Sequence, residues 1–125
     1  METNIALQIL RLAASMLIAT VTLVAVDSPA NAGSRFTCPG GYFCVWTEEN
    51  YEGTRRQYND VGDYNQITVD PIRSAFNNRS KRTYLNQLSG SSSTYSCFGS
   101  YDYDGALSGW QIHANSAFLS TYTNC

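Results

Sequence analysis

Few side chains in this sequence have the means to do chemistry. They are four cysteines (Cys38, Cys44, Cys97 and Cys125), one histidine (His113), and scattered serines and carboxylates. Cysteines serve as nucleophiles, metal ligands or disulfides. Metal binding calls for a cysteine–histidine spacing that a lone His113 does not supply. An even count in a small chain reads as two disulfides, with three connectivities open in principle. Cys38 and Cys44 are separated by five residues, two of them glycine, so their loop closes at little entropic cost. The expected pairs are Cys38 with Cys44, and Cys97 with Cys125; the second ties the C-terminal residue to an inner strand.

The other reactive types do not assemble into a catalytic pattern. Ser116 and Ser120 lie near His113 in sequence, but no G-x-S-x-G motif surrounds them. Glu48 and Glu49 are adjacent in a turn, where two side chains do not converge on one substrate. No glycine-rich phosphate loop follows a strand. The expectation is a protein that is not an enzyme and takes no cofactor or metal. Asn78-Arg-Ser80 matches a glycosylation sequon and is read as a polar strand end.

These residues need a scaffold, and the chain ends bound what it can be. Residues 1–32 have the form of a secretory signal. Arg11 is basic, Leu12 to Val26 is apolar but for Ser15, Thr20 and Thr22, and Ala30-Asn31-Ala32 is a small-x-small cleavage site. The apolar run is shorter than the roughly 20 residues a membrane span needs. The expected mature chain, residues 33–125, suits one small monomeric domain without stable membrane association. It carries seven basic and eight acidic residues, so bulk charge points to neither nucleic acid nor membrane. Arg73, Arg79, Lys81 and Arg82 form a local basic stretch, expected as a solvated strand edge.

After Ala32 no helical period appears. Short β-prone runs alternate with Gly, Asn, Asp and Ser, the pattern of a sandwich or barrel. Strands are expected at 43–46, 55–58, 67–69, 74–77, 83–86, 95–98, 110–113 and 118–122. Residues 59–66 read as a loop and 89–93 as a mobile hairpin tip. Pro71 fits a turn or an edge. The eight strands divide into two sets of four around residues 78–81, each set a candidate Greek key packed against the other.

The first set carries a more specific pattern. Trp46-x4-Tyr51-x-Gly53 resembles the signature of the βγ-crystallin Greek key, in which an aromatic corner precedes a glycine that folds the first hairpin over. Gly53 can take the positive φ such a fold requires. Ser74 falls where that family's capping serine does. Together with Cys38-Pro-Gly-Gly-Tyr-Phe-Cys44 and Ser-Ala-Phe-Asn-Asn78, the order of motifs resembles the family I36 peptidase inhibitors, secreted bacterial proteins of βγ-crystallin fold. The resemblance covers Cys38 to Asn78 and fades afterwards, where Ser89 and Gly90 depart from a second signature. It implies an all-β, βγ-crystallin-like sandwich of two Greek keys, the second degenerate, stapled by two disulfides.

It also implies a function: a secreted, extracellular peptidase inhibitor whose partner is an extracellular metallo- or serine protease. A disulfide-tied β domain is preorganised, so little ordering entropy is lost on docking. Arg55-Arg56, Arg73 and the tyrosine-rich segment Tyr95 to Tyr103 are the contact regions in view. The family's founding member presents its loop inside a second short disulfide; this sequence has no second close cysteine pair, so the inhibitory bond is left unassigned. Many βγ-crystallins bind calcium, but Val69 and Arg73 stand where oxygen donors are expected, and Asp102-Tyr-Asp104-Gly105 reads equally as a turn. The alternative functions are an antimicrobial or killer-toxin-like protein and a structural extracellular module.

Overall fold

The computed structural model describes residues 33–125; the expected signal segment lies outside the described residues. Eight strands form two four-stranded antiparallel sheets. In chain order they are β1 (Tyr42–Trp46), β2 (Arg55–Tyr58), β3 (Tyr64–Gln66), β4 (Ser74–Asn78), β5 (Thr83–Asn86), β6 (Tyr95–Phe98), β7 (Tyr103–Asp104) and β8 (Ser116–Leu119). One sheet has the order β2-β1-β4-β7 and the other β3-β8-β5-β6. The sheets therefore do not coincide with the two halves of the chain. Each half keeps three strands together and lends its third, β3 or β7, to the edge of the opposite sheet. This exchange knits the halves into one core.

The core follows from period-two alternation. Phe43, Val45 and Ala75 face inward from the first sheet, and Leu85, Phe98, Ala117 and Leu119 from the second. Ile72, Leu107 and Ala114 close the layer from the connecting segments, and all ten side chains are buried. The Phe43 and Phe98 rings meet edge to face across it, 5.5 Å apart. β1 is buried on both faces. Its outward residues Cys44 and Trp46 join Cys38 and Phe76 in a second cluster, with Tyr42 and Tyr51 packed against it. That explains an apolar YFCVW run in a sheet that would otherwise expose one side.

Three sequence expectations are corrected. The third strand is Tyr64–Gln66, not 67–69; Ile67 and Val69 reach the core from irregular backbone. Residues 110–113 are not a strand. They lie in a 3₁₀ turn, Gly109–His113, where Gln111 Oε1 accepts from Ser108 N. Ser108-x-x-Gln111 is a capping-box spacing, which marks a helical start. The last strand is Ser116–Leu119, which starts two residues and ends three residues before the expected 118–122. Among the described residues no helix is long and apolar enough to cross a membrane.

Candidate functional site: loops held from within

The four cysteines form two bridges, Cys38–Cys44 and Cys97–Cys125, each with Cα atoms 5.9 Å apart. The first lies in the outer cluster beneath Trp46 and fixes the segment leading into β1. The second ties the C-terminal residue to β6.

Trp46, Tyr51, Gly53 and Ser74 converge at the β1–β2 connection. Asn50 and Tyr51 both have positive φ, 55° and 64°, a region bulky residues avoid. Neighbours hold them there. Asn50 N donates to Gly105 O at 2.8 Å. Tyr51 N donates to Ser74 Oγ at 3.0 Å, and Ser74 Oγ donates to Glu48 O at 2.7 Å. The Tyr51 ring stands edge-on to Trp46 with centroids 5.3 Å apart. Gly53 has φ +74°, and a Cβ there would collide with the Thr47 hydroxyl and lie 3.0 Å from Glu48 Cγ. Ser74, fully buried, thus bonds across the folded hairpin from the neighbouring strand.

The residues most able to present a surface lie elsewhere, at the end of the sandwich where β2 leads to β3 and β6 leads to β7. Residues 59–63 are all exposed, with Val61 54% exposed at the tip. The loop is held by one buried side chain. Asn65 Nδ2 lies 3.0 Å from Asp60 O, 3.2 Å from Asp63 O and 3.3 Å from Ala117 O, and its Oδ1 accepts from Asp60 N at 3.3 Å. Gly62 N adds a bond to Leu119 O at 2.7 Å, from a positive-φ position.

The β6–β7 loop, residues 99–102, repeats the device with Asn77, which is fully buried. Asn77 Nδ2 reaches Gly99 O at 2.7 Å, Lys81 O at 2.8 Å and Phe98 O at 3.2 Å, while its Oδ1 accepts from the Thr83 hydroxyl. Asn77 N donates to Asp102 O, and Tyr101 N donates to Arg79 O. Tyr101 stands 57% exposed at the tip, with φ +57°. Val61 and Tyr101 line the same depression of about 420 Å³, completed by Gly40, Gly41 and residues 78–81.

Arg79 corrects another expectation. It is 5% exposed, not a solvated edge. Nη1 donates to Arg82 O and the Thr83 hydroxyl, and Nη2 donates to Ser120 O, at 2.8–3.0 Å. Burial lowers its pKa, but arginine keeps its proton in proteins, and the rigid guanidinium fork matches three inward oxygens. It clamps the backbone behind the two loops. Lys81 is exposed at the rim, and Arg73 is exposed on the segment before β4. Arg55 donates to Thr37 O and to Gln57, so it is engaged along β2, while Arg56 is exposed.

His113 is a surface residue, its Nδ1 2.6 Å from Asp70 Oδ1. That contact occupies the carboxylate of the Asp70 stretch, and no serine of the 116–120 segment bonds to the imidazole. Ser116 is buried and donates to Leu88 O. Among the described residues no cluster of three or more His, Cys, Asp or Glu side chains offers a metal site. Neither Asn65 nor Val61 stood out in the sequence. The available signal was an asparagine, a poor strand former, beside strand-forming residues.

The arrangement is a rigid display of short loops rather than a reactive center. The family model of peptidase inhibitor family I36 matches residues 31–107. The chain belongs to peptidase inhibitor family I36. This is a family of inhibitors and not of enzymes. The matched span contains the folded hairpin and both asparagine-held loops, and it ends before β8. No curated protein and no solved structure matches the chain.

Proposed function

We propose that this I36 protein is a secreted inhibitor of extracellular metallo- or serine peptidases, and that the end bearing Val61 and Tyr101 enters the peptidase cleft. The observation that carries the reading is that two exposed loops with apolar or aromatic tips are each held by a buried asparagine amide. A loop already fixed loses little entropy when a partner docks. The same bonds hold the backbone against the relaxation that hydrolysis requires, so the chain resists its target as a substrate. The exported form begins at Gly33, with both disulfides formed. Its two halves are Greek keys of the βγ-crystallin type, supported by the exchanged third strands and by the Ser74 bond across the folded hairpin.

The test is hydrogen–deuterium exchange of the inhibitor free and bound to an inhibited peptidase. Protection is expected at residues 59–63 and 99–102 together. Protection confined to 39–43, inside the short disulfide, would move the contact surface there.

A further inference from the structure

The outer face of the β3-β8-β5-β6 sheet carries a feature that inhibition does not use. Tyr64, Phe118 and Tyr84 run in register across three strands, and Tyr95 on β6 stands opposite Asn86, diagonal to Tyr84. Phe118 lies opposite both Tyr64 and Tyr84. The Tyr64 and Phe118 rings are 4.9 Å apart, and the Tyr84 and Tyr95 rings 5.2 Å apart. The four rings line a groove of about 290 Å³ with Asn86 and Ser91.

One wall of the groove is the 87–94 hairpin, expected from its sequence to be mobile. In the structure three side chains hold its first three carbonyls. Asn115 donates to Gln87 O, the Ser116 hydroxyl to Leu88 O and Gln66 to Ser89 O, each at 2.6 Å. These bonds fix the base of the wall; Ser91 and Ser92, which line the groove, follow it, with Ser92 Oγ accepting from Thr94 N.

The lining fixes the class of ligand. It contains no charged side chain, which disfavours phosphates, carboxylates and nucleic acid. Arg82, which lies over the Tyr84 ring at 4.9 Å, is engaged with the Asn124 carbonyl. Aromatic faces carry negative quadrupole charge and attract polarised C–H groups. Asn86 is 4% exposed and gives one N–H to Tyr84 O. Among the described residues no donor occupies its Oδ1, and no partner takes its second N–H. A ligand with C–H faces and many neutral hydroxyls satisfies both the rings and the amide. The volume lies at the small end of ligand pockets, roughly 300–1,000 Å³, and suits a sugar ring or two.

We propose that this groove binds a neutral oligosaccharide, with a sugar ring stacked on the exposed Tyr95, whose ring stands perpendicular to Tyr84, and a hydroxyl bonded to Asn86. The site is separate from the Val61–Tyr101 end and does not depend on inhibition.

The experiment is a ¹H–¹⁵N NMR titration of the oxidised protein, as recovered from culture, with cellotetraose and with chitotetraose. Shifts confined to β3, β5, β6, β8 and residues 89–94 are expected with at least one probe, at a Kd below about 1 mM. Tyr95→Ala, at an exposed position, should raise that Kd about three- to ten-fold, the loss expected for one stacking partner. No shifts with either probe at about 10 mM, about tenfold above that Kd, would overturn the proposal. So would shifts elsewhere, or undiminished binding by Tyr95→Ala. Shifts of the same residues on raising protein concentration alone would assign the face to a second copy of the chain.

Discussion

Replacing Asn65 with Ala tests the idea that a buried amide keeps the 59–63 loop ready to dock. The substitution removes an Nδ2 that reaches three carbonyls and an Oδ1 that accepts one N–H. Two N–H groups serve three acceptors, so the donations are shared and do not add as three full bonds. The Asp60 and Asp63 groups are exposed and regain water, leaving a small net loss for each. The Ala117 carbonyl loses a partner inside the protein and makes the larger contribution. With about 1–3 kcal/mol for a buried group left unpaired and a few tenths for each of the three rehydrated ones, the expected destabilisation is about 1.5–4 kcal/mol.

The functional effect is separate. If release frees the backbone of even one residue in the loop, re-ordering it on docking costs about 1–2 kcal/mol, or roughly five- to thirty-fold in the inhibition constant. The assay pairs a urea midpoint with an inhibition constant measured well below the melting temperature, and adds limited proteolysis. The loop should become a cleavage site. A folded Asn65→Ala protein with unchanged midpoint and unchanged inhibition would refute the reasoning, since the amide would then be dispensable to both fold and loop.

Gly53→Val should destabilise the protein by about 1–3 kcal/mol, the range for forcing a residue into a strained backbone region; an unchanged melting temperature would contradict the folded hairpin. Changing both Cys38 and Cys44 to Ser should lower stability by about 2–4 kcal/mol, yet leave inhibition by the still-folded protein only modestly weaker. Complete loss in a folded double variant would make residues 39–43 the contact loop. Burial raises the hydroxyl pKa values of Tyr51 and Tyr58 above the ordinary 10.0. Their contribution is therefore fully present below 10.0 and lost as pH rises above it through the raised values, so urea midpoints should hold near about pH 8 and fall above the ordinary 10.0.

Much of the first half was legible because its signals are local. Trp46, Tyr51 and Gly53 lie within eight residues, and the glycine spacing of the Cys38–Cys44 loop is visible without tertiary knowledge. Strand β3 was missed because its inward side chain is Asn65. A polar residue facing inward breaks the alternation that marks a strand, while Ile67 and Val69 imitate it in irregular backbone. Strand β7 was missed because two residues are too short to carry a period, and Tyr103-Asp104-Gly105 has the composition of a turn. Arg79 was misplaced because, although the Arg82 and Thr83 oxygens it meets are three and four positions on, its Nη2 is buried on the Ser120 carbonyl, 41 positions away and brought near only by the fold. The loop end was invisible for the same reason. Val61 and Tyr101 are forty positions apart in sequence and become neighbours only through the exchanged strands.

The most direct measurement of the central claim is inhibition of a panel of extracellular metallo- and serine peptidases by the oxidised protein and by a Val61→Glu, Tyr101→Ala variant. Both positions are exposed, so the variant should fold with an unchanged melting temperature. The account predicts that the wild type inhibits at least one peptidase tightly and that the variant loses most of that inhibition. A Leu88→Ala control, exposed on the β5–β6 hairpin and not among the residues lining the Val61–Tyr101 depression, should keep it. Full inhibition by the variant would contradict the assignment of the surface, and no inhibition by the wild type across the panel would contradict the inhibitor account itself.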